Sequence, residues 1–163
     1  PGHHLQHLWA QRLDSPVRRV VWSALSVEGW ALYCEELMAE QGFYDRPETA
    51  FFHQVYLLWR AARIVLDVKL HTMAMPIPEA VTYLTDLLGV PRASAEAEVR
   101  RYCLAPGYQL CYAVGRRDLL RLREDYRKRA GSAFSLRTFH DELMRYGGLP
   151  VTLVRWGMGL ADD

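Results

Sequence analysis

The sequence predicts an all-α protein, and three observations carry that expectation. Apolar residues recur at three- and four-residue spacing in nearly every segment, the signature of one helix face turned to a core. The strict apolar–polar alternation of a half-buried strand is scarce. Start and stop residues, with Ser or Ser-Pro at beginnings and Gly at ends, divide the chain into about eight helices.

The elements follow in order. Leu5, Leu8 and Trp9 place a helix over residues 2–13, and Pro1 suits its first turn because a proline's missing N–H is not needed there. Ser15 and Pro16 supply the cap and first position of a short second helix that carries Arg18, Val21, Trp22 and Leu25. Ser26 is the natural cap of the third, which puts Glu28 in a first turn where the helix dipole favours a carboxylate. After a loop over 42–47, a long helix over 48–73 is apolar around a wide arc, including Phe51, Phe52, Tyr56 and Leu66. It is expected to be buried on more than one side. Pro76 and Pro78 mark a loop. A short amphipathic helix over 79–88 then stops at Gly89, and Ser94 starts another that reaches Cys103. The segment from Ala105 opens a helix to about Arg129. Ser135 caps one to Tyr146, Gly147-Gly148 ends it, Pro150 begins a last short turn, and Asp162 and Asp163 are expected to fray.

A chain of 163 residues is one domain or part of one, here a single helical region. Half its residues are apolar and 24% are charged, an ordinary core-forming composition. A net charge of +1 implies no strong field for a polyanion. The arginines from Arg116 to Arg129 are interleaved with Asp118, Glu124 and Asp125, which reads as a solvated helix face and not as a nucleic-acid surface. No stretch approaches the roughly 18 apolar residues of a membrane span. Cys34, Cys103 and Cys111 lack metal-type spacing, and as small buried thiols they favour a reducing, cytoplasmic setting.

Two places carry metal or acid–base chemistry. His3 and His4 are adjacent imidazoles, and Glu28 follows on a later helix. Neutral imidazole nitrogens and carboxylate oxygens are the donors zinc accepts. Glu35 shares the Glu28 face and is placed to hydrogen-bond a ligand from behind. Farther on, Arg63, Asp67 and His71 fall at successive helical turns, so that a carboxylate one turn from an imidazole can fix its tautomer and raise its basicity. A plain ladder of charges is the other reading of that triplet.

Five blocks, PGHHLQ, VEGWALYCEELMAEQGFY, RAARIVLDVKLHT, APGYQLCYAVG and FHDELMRYGGLP, resemble, in the same order, the bacterial domain-of-unknown-function 885 family. That family is similar to zinc peptidases of the thimet-oligopeptidase, carboxypeptidase Taq and angiotensin-converting-enzyme types. The resemblance implies the C-terminal half of a mostly helical, zincin-like body. It aligns His3 with the second histidine of the metal motif, leaving His4 as the other candidate, and it makes Glu28 the downstream metal ligand. Tyr112 and His71 become candidate donors to a developing oxyanion. Tyr108 is a second candidate although the family more often has an amide there. His140 recurs in the family block as a further candidate active-site residue.

In that family a His-Glu pair precedes the PGHH segment and supplies another ligand and the general base. The chain starts at Pro1, so it is expected to be a C-terminal piece cut inside its own metal motif, inactive alone and incomplete as a zinc site. The expected partners are a peptide substrate, the missing N-terminal part and a second copy meeting an exposed apolar face; a periplasmic or lipoprotein location is the alternative to the cytoplasm. The competing functional expectation is a helical binding or structural module without catalysis.

Overall fold

The computed structural model describes residues 2–160; the expectations for Pro1, Asp162 and Asp163 lie outside them. The fold is all-α, as the spacing predicts. In order come α1 (Gly2–Ala10), α2 (Pro16–Val20), α3 (Ala24–Glu40), α4 (Pro47–Thr72), α5 (Ile77–Leu88), α6 (Arg92–Cys103), α7 (Leu110–Ala130), a 3-10 turn (Gly131–Ala133), α8 (Leu136–Met144) and α9 (Val151–Gly157). The chain divides into two compact units. One comprises residues 1–37 and 111–163, the other residues 38–110.

The core of the first unit gathers Trp30, Tyr33, Cys34, Leu119, Leu122, Tyr126, Phe139, Leu143, Met144, Val154 and Met158 from α3, α7, α8 and the end of the chain. Each large side chain of this kind contributes roughly 1.5–3 kcal/mol when buried. The closest approach is between α3 and α7. A Cβ on Gly29 would overlap the Gly115 backbone, and one on Gly115 would overlap the Leu25 carbonyl. Hydrogen at both positions is what lets the two helices meet backbone to backbone. The link from α8 to α9 is fastened to the start of α3: Ser23 N–H donates to Gly148 O at 2.7 Å and Ser26 Oγ donates to Leu149 O at 2.6 Å.

Those two bonds correct the expected start of α3. The helix begins at Ala24, two residues before Ser26, whose hydroxyl is used in this tertiary contact and not as a cap. Glu28 therefore sits in the second turn. The second helix likewise ends at Val20, short of Leu25, because Trp22 bridges to Gly148 in extended conformation. Ser15 does cap it, accepting from Arg18 N–H, and Ser135 caps α8 through Thr138 N–H.

In the second unit α4, α5 and α6 pack around Ala62, Leu66, Ala80, Val81, Leu84, Ala95, Val99 and Tyr102. Gly89 closes α5 in the left-handed region (φ 65°), as its position after the last apolar residue predicts. Helix α6 starts at Arg92, so Ser94 lies inside it. Helix α4 has 26 residues, against 12 in each of α5 and α6. Its N-terminal half outruns that cover: Phe51, Phe52 and Tyr56 are exposed, contrary to the expected burial on several sides.

Most of the basic groups on α7 are ion-paired. Arg116 meets Glu36, Arg117 meets Asp118, and Arg127 and Lys128 meet Glu124. Cys34 and Cys111 are buried and outside any disulfide, and burial pushes the Cys34 thiol up to about 11.

Substituting Gly115 by Ala forces a methyl group into the Leu25 carbonyl, so the first unit should lose about 3 kcal/mol of stability, at the upper end of ordinary overpacking. Urea unfolding measures this; a loss under about 0.5 kcal/mol contradicts the contact.

Candidate metal centre

Helix α1 delivers His3 and α3 delivers Glu28, both in the first unit. His3 Nε2 stands 3.5 Å from Glu28 Oε2, with the imidazole 44% and the carboxylate 13% exposed. Two ligands held at about 2.0–2.1 Å by one tetrahedral ion are roughly 3.3 Å apart. The pair therefore has the spacing, and the nitrogen–oxygen donor set, that a shared zinc ion needs. Its partial exposure leaves the imidazole open to a ligand. His4 is exposed on the same turn, and Glu28 faces His3. Among the described residues no group of three histidine, cysteine or carboxylate side chains suited to a metal ion forms.

Behind the pair is an aromatic and cationic wall. Trp30 Nε1–H donates to Gly2 O at 2.9 Å. The Trp30 ring lies edge-on to His140 at 5.7 Å and tilted to Tyr33 at 5.6 Å. Tyr33 Oη is 2.7 Å from His140 Nε2, and Arg123 Nη1 donates to Tyr33 Oη at 3.3 Å while its guanidinium covers the Tyr33 ring. The Tyr33 hydroxyl and His140 Nε2 thus share one hydrogen bond, whose donor depends on the imidazole tautomer. Burial first, and the Arg123 charge second, lower the His140 pKa, against a smaller opposing effect of Asp141. Glu35 is half-buried two turns along α3 from Glu28, and its neighbour Glu36 is committed to Arg116 at 2.5 Å. Tyr112 is half-buried in the first turn of α7.

The second unit holds the other predicted group. Asp67 is 2% exposed, and its short bonds go to backbone: Oδ1 accepts from Gly107 N–H at 2.9 Å and Oδ2 from Gln109 N–H at 3.0 Å. His71 Nε2 lies 3.5 Å from Oδ1 and 3.3 Å from Tyr102 O, so the carboxylate touches the imidazole only as a third, longer contact. Arg63 is half-buried on the same helix, its charge near Glu98 and Tyr102; burial still pushes the Tyr102 hydroxyl up to about 12. The expected helix from Ala105 does not form. Gly107 adopts φ 78°, Asp67 holds the turn, and α7 begins only at Leu110. Tyr108 thus lies in that turn, not one helical turn before Tyr112 on a common face.

Three members of the wall, Trp30, Tyr33 and Arg123, were not picked out by motif reading. Trp30 and Tyr33 stand in EGWALY directly after the metal-type carboxylate. Arg123, half-buried like Arg116 seven residues before it on the same face, falls between buried Leu119 and Tyr126.

Replacing Asp67 by Asn puts an amide N–H₂ against one of the two backbone donors, which should cost about 1.5–3 kcal/mol in denaturant unfolding. An unchanged midpoint would show that the turn does not depend on this carboxylate. For His140 the folded pKa lies below the unfolded value of 6.5, so its contribution to stability is complete above that pH and declines as pH falls toward the folded pKa. Thermal melts from pH 7.5 to 5 should show His140→Phe losing less stability on acidification than the wild type; equal slopes would contradict the shift.

Comparison with known proteins fits this geometry into a wider group. A bacterial family of unknown function, domain of unknown function 885, matches residues 1–158. A "putative lipoprotein" from Colwellia psychrerythraea superposes with a TM-score of 0.91 at 31% identity, over 98% of this chain and 28% of that one. A second, of unknown function, from Shewanella oneidensis gives 0.87 at 31% identity, over 97% and 29%. The chain therefore spans under a third of the length of either solved structure. No curated protein matches it. With the match covering nearly its whole length, the chain belongs to the bacterial domain-of-unknown-function 885 family.

Proposed function

We propose that His3 and Glu28 are two ligands of a zinc site in a peptidase, the remaining ligand and the general base coming from outside these residues. The observation that supports this most is the 3.5 Å separation of a solvent-accessible imidazole nitrogen and a mostly buried carboxylate oxygen. The reaction class comes from the resemblance of the sequence blocks to zinc peptidases.

When bound, zinc supplies a Lewis acid that polarises a carbonyl and acidifies a water. His3 presents Nε2 from α1 and Glu28 presents Oε2 from a helix anchored in the core. Tyr112 is the hydrogen-bond donor we assign to charge developing on a peptide carbonyl oxygen; such a donor is worth on the order of 3 kcal/mol. His140, whose pKa burial lowers, is hydrogen-bonded to Tyr33, and we assign it to substrate contact. Asp67 and Arg63 shape the segments that carry His71, and Glu35 lies behind Glu28.

The lipoprotein designation of a structural relative supports a cell-envelope location over the cytoplasm. No helix among the described residues is long and apolar enough to cross a membrane. The exposed Phe51, Phe52 and Tyr56 on α4 are the surface we assign to the remainder of the longer protein, consistent with the length of the solved relatives.

Glu28→Gln in the full-length protein keeps the shape of the side chain and removes its charge. Zinc content measured by plasma emission should fall at least about tenfold after dialysis, with the helical circular dichroism unchanged. Full zinc occupancy in that variant would remove Glu28 from the ligand set. A wild-type protein devoid of zinc would favour the non-catalytic helical module.

A further inference from the structure

We infer that Trp30 is the positioning residue of this site: its indole N–H ties the peptide that carries His3 to the helix that carries Glu28. The inference rests on the zinc reading. His3 is on the outer side of α1, and Glu28 is the polar partner its imidazole has among the described residues. An exposed histidine on a nine-residue helix has several rotamers available, and ordering them costs conformational entropy at the moment a metal binds. Something must fix the backbone beneath it.

Trp30 is placed for that task. It lies two residues after Glu28 on α3 and is 2% exposed. Its Nε1–H reaches the carbonyl of Gly2, the residue immediately before His3, at 2.9 Å. One bond therefore sets the entry of α1 relative to α3, and with it the distance between the two donors. The indole cannot swing away, because its faces and edges are held. His140 packs edge-on at 5.7 Å and Tyr33 packs at 5.6 Å, and these two are joined by the 2.7 Å bond that Arg123 backs. The helix below cannot shift either, since Gly29, between Glu28 and Trp30, is seated on the Gly115 backbone. The wall described above is thus a brace for one hydrogen bond, and that bond registers the metal pair.

The test is zinc affinity by competition with a chromophoric chelator, on the full-length protein, in the wild type, Trp30→Phe, Glu28→Gln and Met158→Ala. Phenylalanine keeps an aromatic ring in the core and deletes the N–H. Met158→Ala weakens the same core through apolar packing alone. Trp30→Phe should bind zinc about 10- to 100-fold more weakly, as loss of a group that orients a ligand does. Met158→Ala should bind within about twofold of wild type although it is the less stable protein by thermal melting. If Trp30→Phe keeps wild-type affinity while Glu28→Gln loses it, the inference falls and the zinc reading stands. If both core variants lose affinity in proportion to their lost stability, Trp30 is only a packing residue. If the wild type binds no zinc, or Glu28→Gln binds it fully, the zinc reading fails and the inference with it.

Discussion

The backbone contact between α3 and α7 is the constraint on which the first unit depends. Gly29 and Gly115 remove the side chains that would otherwise hold the two helices a residue's width apart. Packing at that distance puts Trp30, Tyr33 and Cys34 of α3 against Leu119, Leu122 and Tyr126 of α7 in one core. It also fixes Glu28, the residue before Gly29, so that its carboxylate projects from a helix with no freedom to slide. The zinc site proposed here would hold two donors at about 3.3 Å, which tolerates little backbone drift, and rigid elements meet that demand better than loops.

Around this crossing the polar groups are arranged in a short relay. Arg123 donates to Tyr33, whose hydroxyl is hydrogen-bonded to His140, whose ring in turn packs against Trp30. Buried polar groups impose a cost unless each finds a partner, and here each partner also restrains the next. The same economy appears in the second unit, where Asp67 uses both carboxylate oxygens to hold the 107–109 turn and touches His71 only with what remains. An acidic side chain read from spacing as the orienter of a histidine is first of all a brace for backbone.

Much of the fold was legible because it rests on local rules. The periodic apolar residues give nine α-helices among the described residues, close to the expected number, and Ser15, Gly89 and Ser135 act as the caps their positions announce. Where the reading missed, tertiary contacts had taken over a local signal. Ser26 looked like a cap, but its hydroxyl is spent on Leu149 O, so α3 starts earlier. The turn at 105–109 looked helical, but a left-handed Gly107 and the buried Asp67 hold it open. The apolar arc of α4 looked like burial on several sides, but apolarity does not say which molecule provides the cover. For the site, the juxtaposition of the PGHH and EGW segments was readable from residue type and resemblance, whereas the choice of His3 over His4 as the partner of Glu28 and the bracing by Trp30, Tyr33 and Arg123 required coordinates, because no spacing rule connects α1, α3, α7 and α8.

The central claim is that one cation joins α1 to α3. Anomalous diffraction at the zinc absorption edge from crystals of the full-length protein tests it most directly. The account predicts a single strong peak within about 2.0–2.2 Å of both His3 Nε2 and Glu28 Oε2. A peak that excludes either atom, or none in crystals grown with zinc present, would contradict it.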